Sequence, residues 1–164
     1  MKEPHLHEDS ARTTPIGMAR YAVEFYKAAL AADDKLGMEK GYEIIAPVPV
    51  MFLVGQSIEL ILKSFLIHKG VSLRHIRTKY GHGLHKSLRK AKELGLSSIV
   101  DLTEEEVGVI KILDELYSSK QLQYIVTGAK TFPILGPVQT ATTKLLFSIG
   151  KEVGFPPRGI DNAI

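Results

Sequence analysis

Between Pro49 and Lys69 the chain carries an apolar surface that few folds can accommodate. Met51, Val54, Ile58, Ile61 and Phe65 recur at helical spacing, and Phe52, Leu62 and Leu66 widen the stripe until a helix here is apolar over most of its circumference. Such a helix must be covered on several sides, which places it in the middle of a bundle. Pro49 is tolerated in a first turn and Gly70 stops the pattern. The one polar line is Gln56, Glu59 and Lys63, with Glu59 and Lys63 four apart in the favourable orientation for an ion pair. That line has two readings: an intrahelical pair that only supports structure, or a polar seam opening toward a ligand or a dimer partner. The most apolar stretch, 44–54, is broken by Pro47 and Pro49 and is too short to cross a bilayer, so it reads as a core element and no membrane is expected.

The partners of this helix are legible on either side. After Pro15, the residues Met18, Ala22, Phe25, Ala29 and Ala32 form a small-residue stripe, ended by the polar stretch from Asp33 to Gly41. Leu84, Leu88, Ala91 and Leu94, closed by Gly95, give a third helix. Thr103 with Glu106 three residues on is a capping-box pattern opening a fourth, with Val107, Ile110, Leu113 and Tyr117 on its buried side. A last helix spans roughly 137–149, with Val138, Ala141, Leu145 and Phe147 facing inward. Segment 121–135 breaks the helical period and reads as an extended loop or a small hairpin about Thr127 to Lys130. The expectation is an all-α, antiparallel up-and-down bundle of four to five helices. It forms one domain over 15–150, between a frayed tail at 1–14 that holds His5 and His7 and a C-terminal tail at 151–164. A chain of 164 residues suits one such domain.

The absence of cysteine excludes disulfides, thiolate nucleophiles and Cys-based metal sites. The polar N-terminus has neither the basic nor the apolar region of a secretory signal, so a cytoplasmic location is expected. Net charge is only +3, but from His68 to Lys92 there are eight Lys or Arg, four His and no acid, leaving 13 basic against 18 acidic residues elsewhere. One reading of this run is a phosphate footprint, for an RNA backbone or a nucleotide, built from Lys69, Arg74, Lys79, Lys86, Arg89 and Lys90. The other is a solvated helix face, although such faces normally mix both signs. With Tyr80 the only aromatic in the run, base-specific reading of a single strand is not expected.

The string Glu59-Leu60-Ile61-Leu62-Lys63, leading into Phe65-Leu66 and Gly70, then Tyr80-Gly81-His82-Gly83-Leu84 and Leu88, resembles the HEPN-like domains. The resemblance extends to Leu122-Gln123-Tyr124, where many such domains have an Arg-Tyr pair; here that Arg is Gln123. It implies a helical bundle that frequently forms homodimers. It also implies roles in RNA cleavage, toxin–antitoxin or phage-defence systems, or partnership with an antitoxin or a nucleotidyltransferase. Catalytic members carry an Arg and, four to six residues later, a His, a spacing that Arg77 and His82 satisfy; the position after the Arg is Thr78 here rather than the usual Asn, Asp or His.

The implied chemistry is metal-independent ribonuclease action. His82 assists attack of a 2′-hydroxyl on the adjacent phosphate, and Arg77 stabilises charge on the phosphoryl oxygens. On a regular helix a five-residue offset sets two side chains about 140° apart, so this pair meets only across an irregular hinge or between subunits. The structural reading of His82 is a helix-start histidine that caps backbone groups or hydrogen-bonds to Glu59. His82 and His85 have no third ligand nearby in sequence, so neither a metal nor a cofactor is expected. Two functions follow: binding of RNA or nucleotide phosphate through 68–92, to which the sequence allows but does not favour adding ribonuclease action, or a non-catalytic protein-interaction module.

Overall fold

In the computed structural model, residues 9–161 are described; the expectations for 1–8, including His5 and His7, and for 162–164 lie outside them. Six helices follow in order: α1 (Pro15–Leu36), α2 (Val48–His68), α3 (Leu73–His75), α4 (Leu84–Glu93), α5 (Glu104–Ser118) and α6 (Leu135–Val153). The described residues contain no strand, so 121–134 is a loop and not a hairpin.

Helix α2 is the axis of the bundle and contacts α1, α4, α5 and α6. By length and composition it could span a membrane, yet two-thirds of its most apolar window is buried against the other helices (67%). Val50, Met51, Ile58, Ile61, Leu62, Phe65 and Leu66 have no exposed surface. Helix α1 lies against it through Ala19, Ala22, Val23, Tyr26 and Ala29, so the buried stripe is rotated from the predicted one and leaves Met18 and Phe25 half-covered. Small side chains here admit close approach, and two serines on α2 bond to carbonyls of α1: Ser57 Oγ donates to the Ala22 carbonyl (2.8 Å) and Ser64 Oγ to the Pro15 carbonyl (2.7 Å).

The helix ends are as chemically specific as the core. Thr14 Oγ1 accepts from the Gly17 amide to open α1, and the capping box of Thr103 and Glu106 is formed at α5. Glu106 also pairs with Lys144 Nζ at 2.8 Å, fastening α5 to α6. Gly95 and Gly154 close α4 and α6 in the left-handed region, at φ 95° and 89°.

The described parts of both expected tails, 9–14 and 151–161, are structured. Residues 9–13 form a turn whose amides are held by Asp9, and α6 continues through Val153. Beyond it Pro157 is buried, Phe155 and Ile160 pack on the core, and a Cβ on Gly150 would stand 2.5 Å from the Phe155 carbonyl oxygen. The chain after α6 thus folds back against its last turn.

Candidate phosphate groove and histidine cleft

Midway along α2, Glu59 is almost wholly buried and three side chains converge on it. Lys63 Nζ lies 2.5 Å from Oε1, and His82 Nδ1 lies 3.1 Å from Oε2. The Tyr117 hydroxyl, from α5, is 2.6 Å from Oε2 and 2.5 Å from Oε1 of Gln56; its single proton serves the carboxylate, the stronger acceptor. Burial pushes the Glu59 carboxyl upward, but the charge and hydrogen bond of Lys63, with those of Tyr117 and His82, outweigh it and hold the group below the ordinary range. The same burial, added to the Glu59 charge, raises the Tyr117 phenol far above its usual range. Glu59 is therefore an ionised, buried anchor.

Since a carboxylate only accepts, His82 presents Nδ1–H to Glu59 and leaves Nε2 on the far side of a ring that is 61% exposed. The backbone cap at this helix start comes from elsewhere: Asp114 of α5 accepts from the Leu84 amide at 2.8 Å and the His85 amide at 3.3 Å. Sequence reading passed over Asp114. The available signal was Gly83 at the cap position, which has no side chain to satisfy the first amides of α4, so an acceptor had to come from another element.

The hinge before α4 is irregular. From Ile76 to Tyr80 the chain makes a π-helical turn anchored by the buried Ile76 and Tyr80, and Gly81 follows at φ 52°. This geometry brings Arg77 and His82 to one cleft of about 460 Å³, floored by Met18, Leu60, Leu73 and Ile76, with Lys63 at its edge. On a regular helix they would have diverged.

The predicted phosphate residues divide into groups. Lys79, Lys86, Arg89 and Lys90 surround Tyr80 in a second groove of about 390 Å³. Arg74 is exposed but lines neither groove, and Lys69 is drawn away: its Nζ sits 2.7 Å from Glu152 and 5.1 Å above the Phe65 ring. A segment with no acid in its sequence thus acquires acids from its surroundings. Glu152 answers Lys69, Glu59 answers His82, Asp114 takes the α4 amides, and Glu93, just beyond the segment, sits 3.0 Å from Lys90. Lys79, Lys86 and Arg89 make no ion pair among the described residues, and Glu93, which lines the same groove, is held below its ordinary range first by Lys90 and then by Arg89 and Lys79, so four cations share one acid there. No group of three or more His, Asp or Glu gathers as a metal site among the described residues.

No protein-family model, curated protein or solved structure matches this chain.

Proposed function

We propose that the chain is a HEPN-like domain that binds RNA or nucleotide phosphate through the groove of Lys79, Lys86, Arg89 and Lys90. The observation that carries the reading is that Lys79, Lys86, Arg89 and Lys90 converge on one concave surface lined by a single acid, Glu93, which pairs with Lys90. Repulsion among them is relieved when a polyanion enters and displaces counterions. The same resemblance supports a place in a bacterial defence or toxin–antitoxin system, with an antitoxin or a nucleotidyltransferase as partner.

Titration of a labelled single-stranded RNA at several salt concentrations tests this. Lys86→Ala with Arg89→Ala is expected to weaken binding and to flatten the plot of log affinity against log salt by about 1.4, since each lost phosphate contact on a single strand removes about 0.7. Both side chains are solvent-facing, so the fold should be unaffected. An affinity and slope equal to those of the native chain would remove the groove from the binding surface.

A second reading, metal-independent cleavage, is favoured by the Glu59–His82 geometry. The imidazole is held by Nδ1 on Glu59 with Nε2 outward, on the cleft that Arg77 also lines. Incubating RNA with the chain in excess chelator decides it. Cleavage that falls by about 10²-fold or more in both His82→Ala and Arg77→Ala is the expected signature of a general base and a phosphate clamp. Intact RNA after exposure to the folded native chain would leave binding alone.

A further inference from the structure

Beyond α6 the chain runs back along α1, from Gly154 beside Ile16 to Gly159 beside Lys27. The two paths match in length: eleven residues of helix and five of extended chain each cover about 16 Å. The return is firmly made. The Phe155 amide donates to the Gly150 carbonyl at 2.7 Å, Pro157 is buried and Ile160 packs on the core. Between this segment and α1 lies a cleft of about 450 Å³, within the ordinary range for a small-molecule pocket. Its apolar lining is Val23, Phe155 and Pro156; Val23 is buried, Phe155 half-buried and Pro156 exposed. Because both walls are fixed by the fold, a ligand entering here would not have to order them.

The charges around that lining say what kind of ligand it takes. Arg20 is already engaged, with its Nε 2.9 Å from Oε1 of Glu24, the only acid in the cleft. Lys27 and Arg158 make no ion pair among the described residues, and the Lys27 ammonium lies close enough to Gly159 that a Cβ there would stand 3.2 Å from Nζ. Two uncompensated cations thus stand beside an apolar lining. A hydrated inorganic anion would satisfy the cations and leave the lining wet, and a neutral apolar molecule would do the reverse. One molecule with an acid head and an apolar body satisfies both. A nucleic-acid strand fits badly, since its charge repeats every few ångströms and only two cations here are free.

We propose that the cleft between α1 and the segment 154–159 binds a small amphiphilic anion, with Lys27 and Arg158 on its acid head and Val23, Phe155 and Pro156 against its apolar body. The cleft shares no residue with the basic groove or the histidine cleft, so it stands or falls independently of the function proposed above.

Backbone amide shifts of the isotope-labelled full chain, titrated with naphthoate and with naphthyl phosphate, test it; the two probes distinguish a carboxylate head from a phosphate one. Saturable shifts are expected along 20–27 and 154–159. Naphthalene methanol, which keeps the rings without the charge, and inorganic phosphate, which keeps the charge without the rings, should each bind at least about tenfold more weakly than the better of the two acids. Lys27→Gln with Arg158→Gln, both at exposed positions that leave the fold intact, should raise the dissociation constant of that acid at least about tenfold. The absence of saturable shifts along the cleft with either acid, up to the solubility of the probe, overturns the proposal. So does a neutral analogue that binds as tightly as the acids, or an affinity unchanged in the double variant, because the cations then take no part. Inorganic phosphate binding as tightly as both acids overturns it too, by leaving the apolar lining without a role.

Discussion

Replacing Glu59 with alanine is expected to cost about 3–5 kcal/mol, the range for removing one partner of a buried ion pair. Lys63 would keep its charge beside the core with no carboxylate 2.5 Å away, and the Tyr117 hydroxyl would lose its principal acceptor. In a chain of this size such a loss lowers the melting midpoint by on the order of 10 °C. The effect should also depend on pH, with a definite sign. The folded carboxyl is held below its ordinary range, so its contribution is fully present above the unfolded value of about 4.3 and is lost as pH falls through the folded one. Thermal melts of the native chain and of Glu59→Gln, which keeps the shape and removes the charge, should therefore differ most near neutrality and converge in acid. A gap between the two that is the same at every pH would show that the ionised carboxylate is not what holds this site.

The second large effect is at Gly55, where α2 and α5 touch. Alanine in the interior of a helix ordinarily stabilises by about 1 kcal/mol relative to glycine, so in open space Gly55→Ala would be a gain. Here the new Cβ would stand 2.5 Å from Cδ2 and 2.9 Å from Cε2 of Tyr117. The ring cannot simply slide away, because its hydroxyl is engaged with Glu59 and Gln56. A net loss of about 1–3 kcal/mol is expected from overpacking, read from chemical denaturation. In a Tyr117→Leu background the penalty should shrink, giving a coupling of about 0.5–3 kcal/mol between the two positions. An increase in stability on Gly55→Ala alone would mean that the close approach of the ring is not rigid.

These two positions also mark how far sequence reaches. The existence of five long helices, the central place of α2 and the capping box at Thr103 follow from period and spacing, which are local and repeat several times along the chain. Periodicity failed where one residue decides. In α1 the stripe through Met18 and Phe25 was off by a fraction of a turn, because alanines pack on either side of it without distinguishing themselves. The packing of Phe155, Pro157 and Ile160 against the last turns of the bundle carries no period at all. At the site, Glu59 and Lys63 were visible as neighbours on one helix, whereas Tyr117 and Asp114 arrive from α5, some thirty to sixty residues away in sequence. For the same reason the acid-free run at 68–92 overstated the field there: Glu59 and Glu152 approach it only once the chain has folded.

The π-helical turn from Ile76 to Tyr80 has a consequence for what the chain tolerates. A π-turn is an α-turn holding one surplus residue. Deleting a residue from Arg77-Thr78-Lys79 would let the turn relax to ordinary α geometry while rotating everything beyond it by about 100° around the local axis. Ile76 and Tyr80 would no longer both face the core, and His82 would be carried off Glu59, with every side chain of the basic groove still present in the sequence. Substitution and deletion are therefore different kinds of change in this stretch. Exchanging a side chain between the two anchors leaves their spacing intact, whereas the number of residues between them is fixed, so the turn acts as a length gauge that sets the rotational phase of α4 against α2.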